Sequence, residues 1–260
     1  MCAWRFPLCA AVFLLPALAL LAPLRGTASE LLILGDSISA AYGIDKDSGW
    51  VALLERTLAS QCPGAAVHNA SVSGETSAGG LQRLPALLDR WQPRVVVIEL
   101  GGNDGLRALP PAKMADNLAR MAHLARAAGA EPVLLGMRIP PNYGPLYQRR
   151  FEHAFAEVAR AQDLAFTPFL LDGLAPGAEH FQADGIHPTA AAQPLLLRNA
   201  WPPLTRALAE AGVCEPDPRW TLDYPAAFGA LILIALIGLG FERLLFVPLE
   251  RRLASRRGLG

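Results

Sequence analysis

The 260-residue chain reads as an α/β protein built on a doubly wound parallel sheet, and three observations lead there. Apolar runs of strand length alternate with segments of helical spacing through the middle of the chain. One of these runs, Val95–Leu100, is continuous and β-branched, as in strands buried on both faces of a parallel sheet. Finally, the segments richest in Gly, Ser, Asn and Asp follow the strand runs, where such sheets bind their ligands beyond the carboxyl ends of the strands.

Taken in order, Leu31–Leu34 is a short apolar strand, and Trp50–Ser60 has helical spacing through Val51, Leu54 and Leu58. Val67–Val72 is a second strand. Gly80–Trp91 is a helix that Pro85 must enter near its first turn or kink. After the third strand, Val95–Leu100, come a helix over Met114–Ala128 and a strand over Val133–Met137. Leu146–Gln162 places Phe151, Phe155 and Val158 on one helical face. Ala165–Leu170 supplies a fifth strand, and Ala190–Ala211 a closing helix with Pro194 near its start and Pro202-Pro203 as a break.

The ends differ from the middle. Residues 1–28 carry one early charge, Arg5, then an apolar stretch from Phe6 to Leu24 and the small-residue exit Gly26-Thr27-Ala28, the pattern of a cleaved secretory signal peptide. Tyr224–Phe241 is free of charge for 18 residues, and a helix of that length spans about 27 Å against roughly 30 Å of hydrocarbon. Arg243, Arg251, Arg252, Arg256 and Arg257 follow it, so the tail 242–260 is basic and is expected to stay cytoplasmic. The expectation is a folded domain over 29–215, a linker over 216–223, and a C-terminal transmembrane helix over 224–241 that anchors a periplasmic domain to the inner membrane. Packing of that apolar helix on the domain is the alternative.

Between Ser29 and Asp223, 16 Lys/Arg stand against 21 Asp/Glu, a formal charge of −5 with no basic run, which argues against nucleic acid. His68, His123, His153 and His180 have no ligand spacing with one another, so no metal is expected. Trp50 and Trp91 read as core.

Four short segments carry chemistry. Ser37 stands in Leu-Gly-Asp-Ser, Gly74 in Ser-Val-Ser-Gly, Asn103 in Leu-Gly-Gly-Asn-Asp, and Asp184 and His187 in Asp-Gly-Ile-His-Pro. Asp-x-x-His delivers a carboxylate and an imidazole from a single loop, so the Asp holds one ring nitrogen while the other faces a serine. Ser37 alone could equally cap a helix, and Asp36 reads as a loop-shaping residue. No Gly-x-Ser-x-Gly elbow is present, which excludes the lipase-type α/β-hydrolases.

With these blocks the chain resembles the SGNH (GDSL-type) serine hydrolases. The matching segments are Leu31–Ala40, Asn69–Ser77, Leu100–Arg107, Pro141–Gly144 and Asp184–Pro188. Within the family it is most similar to the bacterial multifunctional thioesterases, proteases and lysophospholipases, over roughly residues 29–212. The resemblance implies a flavodoxin-like, three-layer α/β/α domain with strand order 2-1-3-4-5. It also implies hydrolysis of acyl esters and thioesters through Ser37, His187 and Asp184, without metal or organic cofactor. The backbone N–H groups of Ser37 and Gly74 and the side-chain amide of Asn103 would form the oxyanion hole. A mobile loop of the family matches Gly105–Pro110, so Gly105, Leu106, Arg107 and Leu109, together with Tyr143, are candidates for substrate contact. A carbohydrate O-acetylesterase on the same fold remains the rival, and a non-catalytic acyl- or glycan-binding domain a remoter one. In a sheet of that order the first and last helices lie side by side. Cys62 and Cys214, just past their ends and the only cysteines left after signal cleavage, are then candidates for a disulfide, the alternative being two separate thiols.

Overall fold

The computed structural model describes residues 31–177 and 179–217. A five-stranded parallel sheet, order β2-β1-β3-β4-β5, forms the middle layer. Its strands are β1 (Leu31–Gly35), β2 (Val67–Asn69), β3 (Val95–Glu99), β4 (Glu131–Leu135) and β5 (Ala165–Thr167). Every residue of β1 and β3 is buried, because helices cover both faces of the two central strands. The helices are α1 (Trp50–Gln61), α2 (Ser77–Trp91), α3 (Gly102–Leu106), α4 (Pro111–Ala127), α5 (Pro145–Ala161) and α6 (Gln193–Glu210). α2, α4 and α5 pack in a row on one face, and α1 beside α6 on the other.

Two helices depart from the sequence reading for identifiable reasons. α2 starts at Ser77, so Pro85 lies well inside it and not in its first turn. Thr76 caps the helix by accepting from Gly79 N at 3.3 Å, and Asp104 fixes Ser77 through its N–H (2.8 Å) and its hydroxyl (2.6 Å). That tertiary anchor starts the helix early despite the proline. α6 runs unbroken through Pro202-Pro203. Pro203 has no N–H for the carbonyl of Asn199, and the Thr167 hydroxyl donates to that oxygen at 2.8 Å instead. The strand edges are also shorter, β2 ending at Asn69 and β5 at Thr167.

Cys62 and Cys214 form a disulfide with Cα atoms 5.7 Å apart. It joins the C-terminal ends of α1 and α6, at the end of the sheet away from the carboxyl ends of the strands.

The transmembrane helix expected over 224–241, and the membrane-anchored location built on it, do not stand. No helix among the described residues is long and apolar enough to cross a membrane. The longest, α6, carries Arg198, Arg206 and Glu210 on its outer side and is otherwise packed on the sheet. Residues 224–241, like the signal segment 1–28 and the tail 242–260, lie outside the described residues.

Candidate active site

Ser37 lies two residues past the end of β1, in a turn closed by its neighbour: Asp36 Oδ1 accepts from Ile38 N at 3.0 Å. Gly35 is required just before that turn, since a Cβ there would lie 2.7 Å from Ser39 and 2.8 Å from Glu99 Oε2. His187 and Asp184 come from the loop between β5 and α6. An isolated bridge between Phe181 and Pro188 and the bond from Gln182 N to His187 O (2.8 Å) hold this loop's ends together. His187 Nε2 stands 2.8 Å from Ser37 Oγ, and its Nδ1 2.7 Å from Asp184 Oδ2. The other carboxylate oxygen of Asp184 accepts from the backbone N–H of Ile186 (2.9 Å) and of His187 (3.0 Å). These donors, the His187 backbone first, hold the Asp184 carboxyl down at about 2. An ionised Asp184 accepts a hydrogen bond from Nδ1–H, which keeps the proton on Nδ1 and leaves Nε2 as an acceptor toward the serine hydroxyl.

Gly74 and Asn103 face the same place from the loops after β2 and β3, and both border one hollow with Ser37 and His187. Asn103 sits in the first turn of α3, directly after β3 turns through Gly101 at φ 114°. A Cβ at Gly101 would come within 2.7 Å of Met114 Sδ and 2.8 Å of Phe155 Cζ, so only glycine fits this junction. Asn103 Nδ2 donates to Asp36 Oδ2 at 3.0 Å. Gly74, at φ 79°, has its carbonyl bound by the Arg107 guanidinium at 3.0 Å.

The hollow encloses about 400 Å³. Beyond the polar residues its walls are apolar: Tyr42, Leu106, Met137, Ile139, Phe169 and Phe181 among others. Of the candidate substrate contacts, Leu106 lines the hollow, whereas Gly105, Arg107, Leu109 and Tyr143 do not. Gly105 is buried against Ile139 and Phe151. Tyr143 instead donates its hydroxyl to the carbonyl of Leu106 (2.7 Å), and Tyr147 does the same for Leu109 (2.6 Å). Two tyrosines of the α5 region therefore hold the 106–109 segment, of which Leu106 lines the hollow. Tyr42, whose ring centroid is 4.6 Å from that of His187, and the walls contributed by Met137, Ile139 and Phe169 were not legible in the sequence, because their residue types also suit a core.

Two acids lie beneath the site. Asp36 is 2% exposed, and burial pushes its carboxyl up to about 6 against the opposing pull of the Ile38 N–H and the Asn103 amide. Glu99, at the end of β3, is fully buried. Burial first, and the neighbouring Asp36 charge second, push its carboxyl well above the usual range, so Glu99 is the neutral member of the pair. Among the described residues no group of His, Cys, Asp and Glu is placed to hold a metal ion. His68 stacks on Trp91 with ring centroids 3.4 Å apart.

Comparison with known proteins places this geometry. The profile of the GDSL-like Lipase/Acylhydrolase family matches residues 33–194. Esterase TesA of Pseudomonas aeruginosa is 54% identical over 180 residues, covering 69% of this chain and 90% of that protein. Thioesterase 1/protease 1/lysophospholipase L1 of Escherichia coli K12 is 42% identical over 179 residues, 69% of this chain and 85% of that one. Among solved structures, a crystal structure of TesA superposes with a TM-score of 0.66 at 55% identity, covering 68% of this chain and 99% of that one. The psychrotrophic esterase EstA from Pseudoalteromonas sp. superposes with a TM-score of 0.66 at 39% identity, covering 70% and 99%. From the reach of that profile and the identity of these relatives, the chain belongs to the GDSL-like lipase/acylhydrolase family.

Proposed function

We propose that Ser37, His187 and Asp184 carry the ester and thioester hydrolysis of this serine esterase, with the oxyanion held by Ser37 N–H, Gly74 N–H and the Asn103 amide. The observation that carries the assignment is the unbroken line from Ser37 Oγ through His187 (2.8 Å) to Asp184 (2.7 Å) at the mouth of an apolar hollow. Ser37 Oγ bonds to the acyl carbon as its proton passes to His187 Nε2. Asp184 stabilises the imidazolium and keeps it oriented. When the tetrahedral intermediate collapses, the bond to the alcohol or thiol breaks, and that leaving group takes the proton from His187. Water then repeats the sequence on the acyl-enzyme, releasing the acid and restoring Ser37.

The apolar walls support acyl esters with aliphatic or aromatic bulk over acetylated carbohydrates, as do relatives named as an arylesterase and as a thioesterase/lysophospholipase. Residues 29–215 constitute the hydrolase domain in this reading and 1–28 a signal peptide. The Cys62–Cys214 bridge favours export to an oxidising compartment.

The test compares acetyl with octanoyl p-nitrophenyl esters on the wild type and on Ser37→Ala. The octanoyl ester is expected to show the higher kcat/KM, and Ser37→Ala to lose on the order of 10³-fold or more in kcat. A tenth of wild-type activity left in Ser37→Ala would refute the nucleophile. Preference for the acetyl ester would favour the carbohydrate esterase.

A further inference from the structure

The hollow beside Ser37 is not apolar all the way round. Two of its lining residues, Arg138 and Phe169, also line a second hollow of about 540 Å³ beside the edge strand β5. Backbone pairing sets the two side by side. Gly136 N–H, just past β4, donates to Thr167 O at 2.7 Å, and Leu170 N–H donates to Gly136 O at 2.9 Å. A side chain would prevent so close an approach, since a Cβ on Gly136 would lie 2.5 Å from Pro168 O. Two residues on, the Arg138 guanidinium stands over the Phe169 ring, 4.7 Å from its centroid. This pair stands where the first hollow meets the second.

The second hollow has a different chemistry from the first. It carries two guanidiniums, Arg138 and Arg198, against one carboxylate, Asp172, with Phe166 and Pro202 as apolar surface. Arg138 pairs with Glu152 at 3.5 Å, but both side chains are nearly half exposed, so that contact holds the guanidinium only weakly. Arg198 and Asp172 are exposed, and neither forms an ion pair among the described residues. The backbone around them is braced. Asn199 Nδ2 donates to Leu170 O and to Asp172 O at 2.8 Å each, and the Thr167 hydroxyl ties down Asn199 O. A guanidinium presents a planar fork of donors that matches a carboxylate.

We propose that the second hollow is a distal subsite for acyl chains whose far end carries a carboxylate, which Arg138 and Arg198 hold while the chain lies in the first hollow. The proposal rests on the reading that the apolar hollow takes the acyl group. The substrates are then monoesters of long α,ω-dicarboxylic acids, and hydrolysis with water releases the diacid and the alcohol. An ionised carboxylate is strongly disfavoured against apolar walls. Chains too short to pass Arg138 are therefore rejected, and chains long enough to pass it are accepted.

The experiment uses p-nitrophenyl monoesters of linear dicarboxylic acids, from adipic to hexadecanedioic, each beside the methyl-ended ester of equal carbon number. The quantity read is the ratio of kcat/KM, carboxylate-ended over methyl-ended, at each length. In the wild type it should lie well below one for the shortest pair and rise at least about tenfold along the series. A carboxylate that merely reaches water would give the same rise, so the arginines decide. At the longest lengths Arg198→Gln should lower the ratio about threefold and Arg138→Gln/Arg198→Gln about tenfold, while Asp172→Asn should raise it about twofold. At the shortest lengths none of these changes should move it. Each ratio compares two esters on one variant, so a general loss of folded enzyme cancels. A ratio in the double variant equal to that of the wild type at the longest lengths would overturn the proposal. So would a carboxylate-ended ester that stays about tenfold worse at every length. Methyl-ended esters that gain nothing from acetyl to octanoyl would instead sink the reading of the first hollow as the acyl site.

Discussion

The Cys62–Cys214 bridge sets the largest single perturbation that leaves the site untouched. It spans a sequence separation of 152 residues, and the chain-entropy model values closure of such a loop at about 5 kcal/mol, with measured losses of 2–5 kcal/mol for native bridges. Cys62 is 3% exposed and packs as a small apolar residue, so replacing both cysteines by alanine removes little else. Against a total stability of roughly 5–15 kcal/mol, that is a large fraction. With a urea m-value of about 1–3 kcal/mol/M, the midpoint should drop by roughly 2 M in the Cys62→Ala/Cys214→Ala variant. Dithiothreitol should produce the same drop in the wild type and none in the variant. Because the bridge joins α1 to α6 at the end of the sheet opposite Ser37, kcat for an octanoyl ester should stay within about twofold in the absence of urea. A midpoint shift below about 0.3 M would refute the entropic reasoning. Alkylation of both thiols in unreduced, denatured protein would refute the bridge itself.

Two further outcomes follow from other parts of the molecule. Gly101→Ala adds a Cβ 2.7 Å from Met114 Sδ and 2.8 Å from Phe155 Cζ at a φ of 114°; it should lower the unfolding free energy by about 2–4 kcal/mol and reduce kcat by displacing Asn103, as urea titration and ester hydrolysis would register. The folded protein binds a proton at Asp36 more tightly than the unfolded chain does, the carboxyl being raised from 3.8 to about 6. Stability should therefore fall as pH rises from about 4 to 6, by on the order of 3 kcal/mol for two pKa units. Glu99 acts in the same direction. Asp184, lowered to about 2, acts oppositely but only below pH 4, and weakly because it is exposed. Urea midpoints at pH 4.5 and 7 should differ less in Asp36→Asn than in the wild type.

The order of strands and helices was legible because hydrophobic runs of different period report it directly. Val95–Glu99 and Leu31–Gly35 are apolar in nearly every position, and both are central strands. What misled was proline. Pro85 and Pro202-Pro203 read as a helix start and a helix break, because a proline removes one backbone hydrogen bond and crowds the preceding turn. In the fold partners distant in sequence outweigh or replace what is lost: Asp104 anchors the start of α2 at Ser77, and the Thr167 hydroxyl donates to the carbonyl of Asn199. A local window contains none of these.

The same distinction runs through the site. Ser37, Asn103, Asp184 and His187 could be singled out because their residue types are uncommon at the ends of apolar strands and each arrives within a short motif. Asp36 stood in the same motif but read as a turn residue, and Glu99 carried no signal. Their importance is created by strand register. β1 and β3 pair so that Gly35 lies opposite Glu99, which sets the Glu99 carboxyl under the Asp36 N–H and brings the turn carrying Ser37 beside the helix carrying Asn103. Because side chains alternate faces along a strand, a slip of one residue would send Glu99 to the other face of the sheet. It would also draw Ser37 and Asn103 apart by about 3.3 Å along the strands, more than the span of the hydrogen bond from Asn103 to Asp36. The motifs therefore supply the candidate reacting groups, while the registration of two buried strands decides whether those groups meet.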